Sequence, residues 1–265
     1  MYGALFASIR PTSAMPLHVT EPARHITQIT IDNQSKRNAM SRDMMRELGA
    51  LWDELDCSDC RVVVVTGAGD KGFCAGADIG GDLSASEETA ATVNNALLKT
   101  RVFTKPVIAA VNGDCAGGGV ELLLSTDIRF AASHARFGLP EVRYAIYPFG
   151  GATVKLVQQI GYVHAMDLIL SGRLIDANAA RELQLVNEVV ETDQVLARAL
   201  ERAEQIAANS PAAVQAVKQQ ISAAIAEHAL SREALEQQLG DRVRASADFA
   251  EGVSAFMEKR APNYG

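Results

Sequence analysis

Two stretches of this 265-residue chain set glycines, backbone amides and a carboxylate at spacings that suit acid–base chemistry. The first, "VVVVTGAGDKGFCAGAD" (62–78), runs from β-branched residues into Gly67, Gly69, Gly72 and Gly76. The second, "NGDCAGGGVELLL" (112–124), places three glycines before a helix-like run containing Glu121. Glycine lets the main chain approach a ligand closely, and a helix start leaves N–H groups without partners. Two such turns after neighbouring strands can aim two N–H groups at one developing negative oxygen, which is an oxyanion hole. Glu121 stands between Val120 and Leu122-Leu123-Leu124, so its helix is apolar nearly all round and is expected to be buried. A carboxylate there is costly unless it is paired or used. Glu141, in "FGLPEVRYAIYPFGG", follows a proline in a loop and gains meaning only beside a second carboxylate and an anion hole.

The letters of Gly67, Gly69 and Gly72 also satisfy a dinucleotide fingerprint. Such a turn needs a helix to begin at the glycines, so that amides and helix dipole meet a pyrophosphate. Here the chain continues "FCAGADIGGDL", in which Gly76, Gly80 and Gly81 would each cost roughly 1 kcal/mol inside a helix. An NAD-dependent oxidoreductase is therefore the outlying alternative. Cys57 and Cys60 form a C-x-x-C, "CSDC", with no second pair at zinc-ligand spacing and no histidine close by, so no metal site is expected. Four cysteines in a chain of this length argue for a reducing compartment, the cytoplasm.

The elements that must position these residues alternate. "HITQITID" (25–32), "RVVVVT" (61–66), "PVIAAV" (106–111) and "DIRFAA" (127–132) read as strands, the second and third buried on both faces. Ser41 is a helix N-cap, followed at helical spacing by Met44, Met45, Leu48, Leu51, Trp52 and Leu55. Helices are expected over 84–102, opened by Ser84, and over 117–126. Beyond residue 150 they dominate, at 151–170, 176–184, 192–208, 211–228, 231–246 and 248–259, with one short strand at "LVNEVV". This order predicts an α/β core with a C-terminal helical section. Hydrophobic residues make up 48% and charged residues 22%, as in a soluble globular protein, and no apolar run approaches a membrane span. A net charge of −7 speaks against a binder of nucleic-acid phosphates. Met1 to Pro16 has no basic start and no sustained apolar centre; it reads as a flexible extension, with Met15 as an alternative start.

"FCAGAD" with "AAVNGDCAGGGVEL", then "DIRFAA" and "ARFGLPE", resembles the crotonase family, whose best-known members are the enoyl-CoA hydratases. The resemblance spans about 19–265 and includes "SGRLIDANAARELQLVNEVV" and "EGVSAFMEKRAPNY". It implies an α/β spiral of ββα turns over 19–205, an N-terminal extension over 1–18, and a helical section over 206–265. That section would build a homotrimer, or a hexamer of paired trimers. It also implies an acyl-CoA substrate, with coenzyme A as part of the substrate and no separate cofactor. Carried over by motif, the oxyanion hole is the N–H of Ala77 and of Gly118, and the catalytic pair is Glu121 and Glu141. Lys71 and Ala75 match positions near the CoA adenine, and Lys36 and Arg37 positions near its phosphates. Phe256 and Lys259 match C-terminal positions that complete the CoA site. The implied reaction is addition of water across the 2,3 double bond, Glu121 acting as base and Glu141 as acid. A Δ3,Δ2-enoyl-CoA isomerase and a specialised acyl-CoA dehydratase of the same family are the alternatives; an RNA-binding relative is opposed by the acidic charge.

Three residues depart from that pattern. Phe149 and Ala145 stand where glycine is usual, and Ser35 where proline is common. Phe149 is expected either to enter the acyl pocket, reshaping it or crowding the water, or to pack its ring outward. The acyl pocket itself is expected from "IYPF" and the segment 80–100.

Overall fold

In the computed structural model, which describes residues 16–78 and 87–265, the apolar runs become the strands of a central sheet. Met15, Gly80, Gly81, Ser84 and the 79–86 part of the expected acyl-pocket segment lie outside the described residues. β1 (Leu17–Ala23) and β2 (Ile26–Ile31) pair antiparallel; α1 (Arg42–Asp56) then leads to β3 (Val62–Gly67), parallel to β2. The Ser41 hydroxyl accepts the Met44 N–H, and α1 buries Met44, Met45, Leu48, Leu51, Trp52 and Leu55, the spacing anticipated for its inner face.

The chain next alternates between two sheets. β4 (Gly72–Cys74) and α2 (Glu87–Ala96) follow β3; β5 (Val107–Val111) is succeeded by β6 (Asp114–Ala116) and α3 (Gly118–Leu123). β7 (Ile128–Ala132), β8 (Arg136–Gly138) and α4 (Ala152–Ile160) repeat the pattern. After α5 (Tyr162–Ser171), β9 (Leu174–Asp176) pairs antiparallel with β8, and α6 (Ala177–Glu182) leads to β10 (Glu188–Val190), parallel to β7. The larger sheet runs β1-β2-β3-β5-β7-β10 and the smaller β4-β6-β8-β9. From β3 to α4 each turn thus lays one strand in each sheet and adds a helix, which is a spiral of ββα units. Val62 to Val65 and Val107 to Val111 are buried throughout, as continuous β-branched runs require when helices cover both faces.

Helices close the chain: α7 (Val195–Ala207) packs across β3, β5 and β7, and α8 (Pro211–Arg244) and α9 (Ala247–Met257) follow. Two expected helices, 211–228 and 231–246, are one 34-residue helix. The joining "HALS" holds neither glycine nor proline, and the Ser231 hydroxyl donates back to the His228 carbonyl inside the helix. Conversely, the expected helix 151–170 is divided between α4 and α5 at Gly161, whose φ of 81° and ψ of 161° end the first helix. The expected helix 84–102 is described from Glu87 and stops at Ala96, before Leu98 turns left-handed at φ 47°. Leu17 and His18 of the expected extension 1–18 already belong to β1, and the expected boundary between 205 and 206 falls inside α7.

Candidate active site

The three short strands of the smaller sheet do the positioning. β4, β6 and β8 are neighbouring and parallel, so their C-terminal ends open side by side, and each leads into a turn that carries chemistry. After β4 come Gly76 and Ala77; after β6 come Gly117 and Gly118; after β8 comes Glu141, on a 3-10 turn over Pro140–Tyr144. Met40 donates to the Gly76 carbonyl at 2.8 Å and accepts from the Asp78 N–H at 2.9 Å. In that parallel bridge the N–H of Ala77 points away from Met40. Gly118 opens α3, where an N–H has no partner within the helix. Neither amide has an acceptor among the described residues. They adjoin: a Cβ placed on Gly76 would lie 2.9 Å from the Gly118 nitrogen, and one on Gly118 would lie 3.5 Å from the Ala77 nitrogen. Gly76, at φ 97°, holds a conformation that side chains rarely adopt, so glycine is required on both counts.

Glu121 comes from α3, the helix that Gly118 opens, and Glu141 from the turn after β8. Glu121 is 4% exposed. Its Oε1 accepts the Ala152 N–H at 3.3 Å, at the start of α4, where the helix dipole favours negative charge. Its Oε2 lies so close to Gly150 that a Cβ there would come within 2.4 Å. Glu141 Oε1 would stand 3.0 Å from a Cβ on Gly117, and its buried Oε2 has no hydrogen-bond partner among the described residues. Burial pushes Glu121 up to about 7; the Ala152 and Gly150 amides and the Lys99 ammonium oppose the rise, and the charge of Glu236 adds to it. Burial, then the charge of Glu121, pushes Glu141 up to about 8. Glu121 and Glu141 interact, so they titrate as a pair. Between about pH 7 and about pH 8 such a pair favours holding one proton, which is the state that general acid–base work on a shared water needs.

Behind Glu121 lies a charged cluster that sequence reasoning passes over. Lys99 and Glu236 are each 3% exposed, with Lys99 Nζ 2.7 Å from Glu236 Oε2 as an ion pair rather than a directed hydrogen bond. The Thr153 hydroxyl donates to Glu236 Oε1 at 2.6 Å. Lys155 donates to the Leu98 carbonyl at 2.7 Å and to the Ser125 hydroxyl at 2.8 Å, and burial pushes it down to about 8. A lysine straight after Ala96-Leu97-Leu98 is the available signal for Lys99; nothing local marks Glu236, 83 residues beyond Thr153. The ring of Phe149 is seated on α8: the Arg244 guanidinium lies 4.2 Å from its centroid, and a Cβ on Gly240 would come within 2.0 Å of its Cζ. It also borders a cavity of about 90 Å³ with Val93, Asn94, Lys99 and Glu236. A larger apolar groove of about 860 Å³ runs between α8 and the ends of β5 and β7, and neither glutamate lines it.

The other expected residues fall into two groups. Lys36 and Arg37 sit on the loop before α1, beside the turn after β4: the Arg37 carbonyl accepts the Ala75 N–H at 3.1 Å. Lys36 pairs with Asp78 at 2.6 Å and Arg37 with Asp114 at 3.3 Å, while Lys71 is exposed on the turn between β3 and β4. Phe256 and Lys259 belong to the second group, at the end of α9, which packs on the turn that carries Glu141. Phe256 meets Tyr144 edge-on at 5.1 Å, and the Tyr264 hydroxyl donates to the Arg143 carbonyl at 2.9 Å. Among the described residues there is no cluster of His, Cys, Asp and Glu able to hold a metal ion, and no helix long and apolar enough to cross a membrane.

A family model described as enoyl-CoA hydratase/isomerase matches residues 21–265. An enoyl-CoA hydratase of Mycobacterium tuberculosis is 41% identical over 257 residues, spanning 94% of this chain and 96% of its own. A mevalonyl-coenzyme A hydratase of Aspergillus fumigatus is 39% identical over 257 residues, spanning 93% of each. Among solved structures, a carnitinyl-CoA dehydratase from Mycobacterium avium superposes with a TM-score of 0.86 at 34% identity, over 95% of this chain and 99% of the other.

Proposed function

The chain belongs to the enoyl-CoA hydratase/isomerase family, and from that footing we propose that it adds water across the 2,3 double bond of an enoyl-CoA thioester. The observation that carries this reading is the adjacency of two amides, on Ala77 and Gly118, that have no acceptor among the described residues, with the carboxyl of Glu141 beside Gly117 and the buried carboxyl of Glu121 in electrostatic contact with it. The thioester oxygen accepts from both amides, each worth on the order of 3 kcal/mol as negative charge moves onto it. Glu121 keeps the negative charge, because the amides at the start of α4 hydrogen-bond it; Glu141 keeps the proton, because its Oε2 has no donor. Glu121 therefore draws a proton from water as oxygen bonds to the β-carbon, and Glu141 gives its proton to the α-carbon. The product is a 3-hydroxyacyl-CoA, and the step balances with no further cofactor.

Lys36, Arg37, Lys71 and Ala75 would hold the CoA, with Phe256 and Lys259 completing its site. Val217, Ile221, Leu230 and Leu235 on α8 are exposed apolar residues that suit a homotrimer, alone or paired into a hexamer. Four free cysteines accord with the cytoplasm. The test follows crotonyl-CoA at the absorbance of its conjugated double bond. Loss of that band with the wild-type protein supports a hydratase. An unchanged band, with conjugation appearing from 3-hexenoyl-CoA instead, would replace this reading with an isomerase.

A further inference from the structure

We propose that Glu236 on α8 and its partner Lys99 are positioning residues, through which α8 holds residues 149–153 against the carboxyl of Glu121. Every residue of that segment is bracketed. Phe149 lies on Gly240 of α8, under Arg244. Gly150 abuts Glu121 Oε2, and Ala152 donates to Glu121 Oε1. Gly151 packs on the stem of Lys99, whose Cγ would stand 3.2 Å from a Cβ there. Thr153 donates to Glu236. The segment is thus fixed on one side by α8 and Lys99 and on the other by Glu121, so any shift of α8 reaches the carboxyl. Burying an ion pair is weak support for stability, since an apolar pair of similar volume often serves as well, and orientation is what this pair adds.

The same groups bear on the charge of Glu121. Facing it are Glu141 from the turn after β8, Glu236 from α8, Lys99 from the segment after α2, Lys155 from α4 and the phenol of Tyr147. The inference rests on Glu121 being the base proposed above, and its test separates the two. In protein labelled with 13C-glutamate, with the Glu121 signal assigned through Glu121→Gln, the carboxyl is titrated in wild type, Lys99→Met, Glu236→Gln and the double variant. Losing the ammonium raises the titration midpoint, losing the carboxylate lowers it, each by about half a pH unit or more, and the double variant returns near wild type. The acidic limb of the crotonyl-CoA rate profile moves with it. Midpoints that stay put, or that move the same way in both single variants, overturn the inference. Thr153→Val removes the hydroxyl that joins the segment to Glu236, with Tyr147→Phe as the control for the hydroxyl's contact with that phenol, and decides the matter if a charge variant does not fold: kcat falls about tenfold with KM unchanged, beyond any fall in the control, and wild-type kcat overturns the inference. If wild type hydrates no enoyl-CoA, the proposed reaction falls while the carboxyl titration still judges the pair.

Discussion

Replacing Gly76 with alanine is expected to lower both stability and rate, for separable reasons. At φ 97° an alanine is strained, by about 1–3 kcal/mol. In a chain of this size each kcal/mol shifts the melting temperature by roughly 2–4 °C, so a fall of roughly 2–12 °C follows. The added Cβ would also lie 2.9 Å from the Gly118 nitrogen, closer than carbon tolerates, and a tight 3.1 Å from the Ala116 carbonyl oxygen. Relief moves either the Ala77 amide or the start of α3, and either movement displaces one oxyanion donor. Loss of one such donor lowers kcat by about 10²–10³. Gly161→Ala is the control: its φ of 81° carries similar strain, but nothing lies within 4 Å of the new Cβ. Thermal unfolding by circular dichroism and steady-state hydration of crotonyl-CoA are read on the same preparations. Both variants melt lower and only Gly76→Ala loses rate. A Gly76→Ala protein that melts lower yet keeps kcat/KM within about threefold of wild type would refute the oxyanion assignment.

Gly240→Ala reverses the usual sign of a helix substitution. Alanine normally gains about 1 kcal/mol over glycine in a helix interior, but here its Cβ would meet the Phe149 ring at 2.0 Å, and overpacking costs about 1–3 kcal/mol. A lower melting temperature, recovered when Phe149→Leu is added, is expected; a higher one in the single variant would dislodge Phe149 from α8. The rate profile of kcat/KM is expected to be bell-shaped, with its maximum between about pH 7 and about pH 8, because burial leaves both glutamates protonated below that window and both ionised above it. A profile flat from about pH 6 to about pH 9 would remove the shared proton from the mechanism. Stability carries the same signature. Each carboxyl is raised from 4.5, so its contribution is fully present below that value and is lost as pH rises through the folded value. Glu141→Gln escapes that loss, so its stability gains on wild type between about pH 5 and about pH 8.5 by on the order of 4 kcal/mol, read as a widening difference in melting temperature; a constant difference would rule out burial as the cause.

What the sequence shows and what it hides divide along physical lines. The runs 62–65 and 107–111 announce buried strands, and Ser41 with its apolar spacing announces α1, because these signals are local and repeat. β4, β6 and β8 are three residues each, too short for any period to register, yet they align the turns of the site. Gly76 and Gly118 are legible as close-approach glycines, but only the pairing of β4 with β6 brings the amides of Ala77 and Gly118 together. Glu121 is legible as a carboxylate in an apolar helix; the polar groups that accompany it come from elsewhere in the chain, so Lys99 and Glu236 leave no pattern. The break at Gly161 and the continuity through His228–Ser231 turn on one backbone angle and one side-chain hydrogen bond, neither of which periodicity reports. Phe149 stands where the resemblance leads one to expect glycine, and the glycine that accommodates its ring lies on another helix, at Gly240.

The central claim, two carboxyls acting as one unit across a single water, is tested most directly by kcat/KM for crotonyl-CoA hydration in wild type, Glu121→Gln, Glu141→Gln and the double variant. Each single substitution is expected to lose about 10²–10⁴, and the double variant no more than the worse single one, since a unit broken once is not broken again. A single variant within about threefold of wild type, or losses that multiply in the double, would contradict it.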